Sequence, residues 1–284
     1  MTPDALSQLL GPLRPTTVID VGANPIDGAP PYRGMLDAGL CRVVGFEPQP
    51  AAFAALQQRG GAAERYLPHA LGDGAVHTLR VCHGSGMSSL LEPDPAALEL
   101  FDALRPLAQV TERIELATRR LDDVVEIDHL DWLKLDVQGS ELMILRHGAA
   151  KLAQAVVVHT EVSFVTLYQG QPPFGEVDLE LRRQGFVPHC LGGLKHWPIA
   201  PALVDGNPRR ALNQLLEADV AYVRDLTHAA RLSDEQLRHL ALIAHHAYRS
   251  FDLALRCVML LEQRGGLAPD SQRRYLQIAS DAAQ

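Results

Sequence analysis

No two of the chain's four cysteines stand close together; Cys41, Cys82, Cys190 and Cys257 form no C-x-x-C. That spacing excludes a local zinc or dithiol motif and reads as buried free thiols of a reducing compartment. A basic segment followed by an apolar core is missing from the N-terminus, and no run approaches the roughly 18 apolar residues of a membrane span. The expectation is a soluble, cytoplasmic protein with no membrane partner. Positive charge is also scarce, with 26 Lys and Arg against 34 Asp and Glu and a formal net charge of −8. The arginines come in scattered pairs (Arg119-Arg120, Arg182-Arg183, Arg209-Arg210, Arg273-Arg274) rather than in a basic stripe interleaved with aromatics. A nucleic-acid partner is therefore not expected. The 284 residues, 47% of them hydrophobic, suffice for one large α/β domain or a domain with an appendage.

Glycine is missing where a dinucleotide site would need it. The apolar run Val18-Ile19-Asp20-Val21 opens into Gly22-Ala23-Asn24, a strand ending in an acid and a ligand-binding turn. The pattern G-x-G-x-x-G lets backbone N–H groups approach a pyrophosphate. Only Gly22 meets it; the later glycine positions hold Asn24 and Asp27. Asp20 would repel a pyrophosphate and suits a cationic ligand. A second apolar run, Val43-Val44-Gly45-Phe46, ends in Glu47-Pro48. In a doubly wound sheet two such strand ends lie side by side at the crevice where nucleotides bind. A carboxylate there accepts ribose hydroxyls at about 1.5–3 kcal/mol per bond. A ribose without phosphate, an ammonium and a sulfonium together describe S-adenosylmethionine. The residues point to a methyltransferase.

Short apolar strands alternate with helical patterns, as in βαβ units. Strands are expected at Thr17–Val21, Arg42–Phe46, Glu64–Ala70, Trp132–Gly139, Ala155–Val162, Phe186–Cys190 and Asp219–Arg224, the last pairing antiparallel at the end of the sheet. His77–Cys82 would form a hairpin with Glu64–Ala70 by turning at Gly72-Asp73-Gly74, and Glu112–Thr118 alternates like an exposed strand. Helices are expected near Tyr32–Ala38, Ala51–Arg59, Ala96–Leu107, Leu121–Val125, from Ser140, and at Gly175–Gln184. After Asp225 the alternation stops. Ser233–His246, Ser250–Gln263 and Pro269–Asp281 carry apolar residues at i, i+3, i+4, with Ser233 and Gln236 as a capping box. The spacing of Ala244, Tyr248 and Ala254 is that of one tetratricopeptide-like hairpin, and a single unit makes no independent core. The expected architecture is α/β: a Rossmann-like, seven-stranded, mostly parallel sheet flanked by helices. It spans residues 1–226, with a three-helix appendage over 227–284 that caps the sheet or makes a homodimer contact.

The string Lys134-Leu135-Asp136-Val137-Gln138-Gly139-Ser140-Glu141, with Asp20-Val21-Gly22-Ala23-Asn24 and Phe46-Glu47-Pro48, resembles the FkbM family of S-adenosylmethionine-dependent methyltransferases. Glu161-Val162-Ser163-Phe164, Leu167-Tyr168-Gln169-Gly170-Gln171 and Gly185-Phe186 are similar to the same family. The match runs roughly from Val18 to Arg224. The resemblance implies a seven-stranded Rossmann-like fold and O-methylation of hydroxyls on sugars, glycans or small molecules. One stretch departs from the family: Pro25-Ile26-Asp27-Gly28-Ala29-Pro30-Pro31 replaces a short turn beside the methionine end of the cofactor.

For the cofactor, Gly22 and Ala23 permit close backbone approach. By similarity Asp20 and Asn24 would orient its amino-acid portion and Glu47 would take the ribose hydroxyls. Ala70, Leu71 and Asp73 hold the position where such enzymes contact adenine, and the resemblance places Ser88 and Ser89 nearby. Asp136 ends the fourth core strand, next to the methyl group in this fold. Lys134 shares its strand face and, inside an apolar strand, needs a carboxylate partner: Asp136, Glu141 or Glu161. An acceptor alcohol needs a base or a metal. Asp136, His159 and Glu161 are the catalytic candidates, with His159 the natural base at neutral pH. In the rival mechanism Asp136 and Glu161 hold magnesium, although the acid-amide pair that completes such sites is replaced by Glu161-Val162-Ser163. Tyr168 and Gln171, with Pro172 and Phe174, would wall the acceptor site. Two other readings stay open: methylation of an amine or protein side chain, and a non-catalytic scaffold that binds partners through its helical tail.

Overall fold

A computed structural model describes residues 4–23, 28–207, 210 and 212–283. Its first part carries helix α1 (Ala5–Leu10), strand β1 (Thr16–Val21), α2 (Arg33–Asp37), β2 (Cys41–Phe46), α3 (Pro50–Arg59) and β3 (Glu64–Leu67). Next come β4 (Ala70–Leu71), β5 (Val76–Cys82), α4 (Pro95–Leu100), β6 (Val110–Arg119), β7 (Trp132–Leu135), α5 (Glu141–Arg146), α6 (Ala149–Leu152) and β8 (Val157–Ser163). Helix α7 (Phe174–Arg183), strands β9 (Phe186–His196) and β10 (Leu215–Arg224), and helices α8 (Asp234–His246), α9 (Phe251–Gln263) and α10 (Ser271–Ala283) follow.

Seven strands form one mixed sheet in the order β3-β2-β1-β7-β8-β10-β9. The fold is α/β and Rossmann-like. Strands β3, β2, β1, β7 and β8 run parallel, and β10 is antiparallel to both its neighbours. The last strand therefore sits inside the sheet, not at its end as its position in sequence suggested. Burial explains the swap: Val220–Arg224 is wholly buried, whereas β9 is mostly half-exposed and serves as the edge. The expected hairpin of β3 with β5 also fails. Parallel pairing with β2 takes up β3, so β5 runs antiparallel to β6, which pairs parallel with β4 in a separate three-stranded sheet.

Alternation of side chains across the strands builds a core on each face. Ile19, Leu133, Leu135 and Val158 pack with Leu142 and Leu145 of α5, Leu152 of α6 and Leu181 of α7. On the other face Val18, Trp132, Val157 and Val223 pack with Leu6 and Leu10 of α1, Met35 of α2 and the helices after residue 233. Leu237, Leu240, Ile243 and Leu261 are fully buried there, while Leu253 and Leu260 are partly so. The Ser233–Gln236 capping box is formed and starts α8. Among the described residues no helix is long and apolar enough to cross a membrane.

Candidate active site

An open cleft lies at the carboxyl ends of β1, β2 and β7, lined by Gly22, Glu47, Leu71, Ser88, Ser89, Asp136 and Gln138 among others. Gly22 is required by the turn itself. Its φ is 78°, and a β-carbon there would lie 1.9 Å from the Asp136 carbonyl oxygen. Backbone N–H groups of Gly22 and Ala23 both donate to the Phe46 carbonyl, at 3.1 and 3.3 Å. Ala23 itself is buried behind the turn, and Asn24 lies outside the described residues. Glu47 is 3% exposed. Its Oε1 accepts the Gln49 backbone N–H at 2.8 Å, while Oε2 has no partner among the described residues. Burial, reinforced by Asp20, pushes its pKa up. Of the residues expected at the adenine end, Ala70 and Leu71 line the cleft, next to His69. Asp73 does not: its carboxylate is occupied by the Ala75 N–H at 2.9 Å and by His77 at 2.8 Å.

Asp20 does not line the cleft either. It is buried, with Oδ2 accepting from the Tyr32 hydroxyl at 2.5 Å and Oδ1 from Lys134 Nζ at 3.0 Å. This corrects the expected partner of Lys134, which was Asp136, Glu141 or Glu161. Register decides it: Asp20 stands directly across from Lys134 in the β1–β7 pair, whereas Asp136 is two residues further along the chain. Burial alone would lower the lysine pKa, but Asp20 and Asp136 override it and hold the ammonium above its ordinary value. Glu141 is committed elsewhere, accepting the N–H groups of Val137 and Gly139 at 3.0–3.2 Å. Burial, opposed by those bonds, pushes its pKa up to about 7.

Gln138 is the residue the sequence reading left without a role. Its backbone takes a positive φ of 55°, uncommon for a non-glycine residue and a reason to look at the site. Its side-chain amide donates to Asp136 Oδ1 at 3.1 Å and to Glu161 Oε2 at 2.9 Å. One N–H₂ group thus joins the two acids expected to carry catalysis. Ser89 Oγ donates to the Gln138 carbonyl at 2.6 Å, and the Tyr168 hydroxyl donates to its Oε1 at 3.2 Å. Tyr168 is 2% exposed. Gln171 bonds Ser163 Oγ at 2.7 Å and the Leu167 N–H at 2.7 Å. Both residues expected to wall the acceptor site therefore buttress the turn from behind. Ser88 Oγ accepts the Cys82 N–H at 3.1 Å and fixes the loop that borders the cleft.

Beyond Asp136 the same sheet face stays polar. Glu161 Oε1 meets Lys195 Nζ at 3.3 Å, and that lysine also reaches Glu217 at 2.7 Å. Burial, then Glu217 and Asp136, hold the Glu161 carboxyl well above the usual carboxylate range, with Lys195 opposing. Burial likewise raises Asp219, which faces Glu161 across β8 and β10. His159 shares this face, but burial and then Lys134 push its pKa down to about 4. It is a neutral ring and a weak base. Among the described residues no group of three His, Cys, Asp or Glu gathers as metal ligands would.

A family model, the methyltransferase FkbM domain, matches residues 20–188. The chain belongs to the FkbM family. It is an S-adenosylmethionine-dependent methyltransferase. A curated relative, the 2-O-methyltransferase NoeI of Sinorhizobium fredii, is 27% identical over 172 residues, covering 55% of this chain and 67% of that protein. Among solved structures, an FkbM methyltransferase from Methylobacillus flagellatus aligns at 16% identity and a TM-score of 0.39, over 76% of this methyltransferase and 45% of that chain. The magnesium protoporphyrin IX methyltransferase of Synechocystis, with S-adenosylmethionine bound, aligns at 10% identity and a TM-score of 0.39, over 74% and 71% of the two chains.

Proposed function

We propose that this methyltransferase moves a methyl group from S-adenosylmethionine to a hydroxyl of a small molecule, sugar or glycan. The observation that carries the reading is the Asp136–Gln138–Glu161 bridge, which sets a carboxyl of raised proton affinity beside the cleft. The similarity to NoeI, a 2-O-methyltransferase, supports a hydroxyl acceptor. The cleft suits the cofactor on its own evidence: at Gly22 a side chain would strike the Asp136 carbonyl, and Glu47 offers a ribose diol a carboxylate oxygen that has no partner among the described residues. When bound, S-adenosylmethionine supplies an electrophilic methyl on a sulfonium sulfur.

The chain's residues do the remaining work. Glu47 holds the ribose hydroxyls. Glu161 accepts the proton of the acceptor hydroxyl, a task suited to a carboxyl whose proton affinity burial and Glu217 have raised. Asp136 and Gln138 fix the position of that carboxyl, and alignment of nucleophile and methyl supplies a large share of the rate. Lys134, Lys195 and Asp219 offer hydrogen-bond donors and an acceptor to a polyhydroxy molecule on the polar face. The Gln138 amide donates into the space between the acids, where a magnesium ion would need acceptors, so a carboxylate base is favoured over a metal.

The test uses a panel of sugars and polyols with methyl-labelled cofactor. In Glu161→Gln, turnover should fall by about 10²–10⁴ while S-adenosylhomocysteine binds within a few-fold of wild type. Near wild-type turnover in that variant would remove Glu161 as the base.

A further inference from the structure

Tyr248 reaches the polar face from outside the sheet. It lies between α8 and α9, wedged against Trp132 and His159, with ring centroids 5.6 Å and 6.1 Å away and the His159 pair nearly parallel at 18°. Its hydroxyl is 3.0 Å from His159 Nδ1. Burial holds the phenol pKa well above its ordinary value, so the hydroxyl keeps its proton. Among the described residues His159 Nδ1 is the one partner within hydrogen-bond distance of that hydroxyl, and a buried hydroxyl proton is costly without an acceptor, so the phenol donates its hydrogen bond to the ring. A neutral imidazole has one nitrogen able to accept it. If Nδ1 accepts, the ring proton is on Nε2, and no described residue pairs with Nε2.

On the far side of the ring, β9 carries Gly192 and Gly193 at a register shift against β10. A β-carbon on Gly192 would sit 3.1 Å from His159 Cε1, and one on Gly193 would sit 3.1 Å from Asp219 Oδ2. Glycine at both positions lets β9 come close to the His159 ring and the Asp219 carboxylate, both on the polar face. We propose that Tyr248 is a positioning residue that fixes His159 as the neutral Nε2–H tautomer, so that the ring donates a hydrogen bond to the methyl acceptor on the polar face. The tautomer stands on the contacts above; only the identity of the molecule on that face rests on the methyl-acceptor reading. The C-terminal helices then supply part of the site, and His159 orients the acceptor instead of taking its proton.

The charged groups around the ring are Lys134 and Asp136 from the β7 side, Asp219 from β10 and Glu161 further along β8. Nitrogen NMR on full-length protein labelled at histidine, with His159 assigned through His159→Gln, reads the tautomer directly. Wild type should show His159 as Nε2–H and neutral down to about pH 5. In Tyr248→Phe, which keeps the ring and loses the hydroxyl, the single-tautomer pattern should be lost and the midpoint should rise by about one pH unit. S-adenosylhomocysteine affinity, measured by calorimetry, should not change in that variant. Loss of that affinity in wild type would sink the methyltransferase reading and leave the tautomer result untouched. An Nδ1–H ring in wild type overturns the proposal, as do identical titrations in wild type and variant. The wild-type measurement decides even if the variant fails to fold.

Discussion

At Glu47 a buried residue has one carboxylate oxygen fixed by the Gln49 backbone and the other without a partner among the described residues. Glu47→Ala should lose one or two charge-assisted bonds to the ribose, each about 1.5–3 kcal/mol, and so weaken S-adenosylhomocysteine at least about tenfold. Unchanged affinity by titration would make the ribose assignment wrong. Glu47 was legible because it follows an apolar strand next to the first motif. Asp20 was equally visible, yet its side chain serves Lys134 and Tyr32, because a strand-end acid can turn to either face and only register decides which. Gln138 stood inside the most specific string of the chain and still carried no readable role. Its importance comes from a positive φ and from bonds to residues far along the chain, which no local pattern encodes. Lys195 and Asp219 were missed for the same reason: the sheet, not the sequence spacing, brings them to Glu161.

Among the elements, parallel strands were legible because they are short, apolar and bounded by turn residues, and five of them form the parallel part of the sheet. Pairing partners were not. The β5–β6 ladder joins segments separated by the whole of α4, and a half-exposed alternating strand fits any partner of the same kind. The position of β10 was likewise hidden, since antiparallel entry between β8 and β9 depends on the full burial of its second half, Val220–Arg224. That entry matters chemically. It places Asp219 and Glu217 beside Glu161, and Glu217 is the chief charged neighbour that raises the Glu161 pKa. Glu217→Gln should therefore lower the Glu161 pKa and move the acidic limb of the pH–rate profile downward. A profile that keeps its acidic limb in that variant would show that Glu217 does not tune the base.

For the whole molecule, the helices after residue 233 share one core with β1, β7, β8 and α1, so ionisation at that seam bears on global stability. His159 and His245 sit there, 7% exposed each. Burial is the leading cause that pushes both pKa values down to about 4, aided by Lys134 at His159 and by His246 at His245. A depressed histidine binds fewer protons folded than unfolded between pH 4 and about 6.5. Its contribution to stability is complete above about 6.5 and is lost as pH falls toward 4, at roughly 1.4 kcal/mol per pH unit for each ring. Glu141, raised to about 7, acts in the opposite sense between its ordinary value and 7, so a single pH–melting curve mixes the two. The difference between wild type and a His159→Gln, His245→Gln double variant removes Glu141 from the comparison, because both proteins carry it. The wild-type advantage in melting temperature should hold above pH 7 and shrink steadily from pH 6.5 to pH 4. Deleting residues 227–284 should be more severe, since it bares Val18, Trp132, Val157 and Val223 together, an apolar patch of the kind that drives aggregation. A truncated chain that stays soluble, melts as wild type does and binds S-adenosylhomocysteine normally would mean that the seam carries neither the stability nor the acid sensitivity assigned to it.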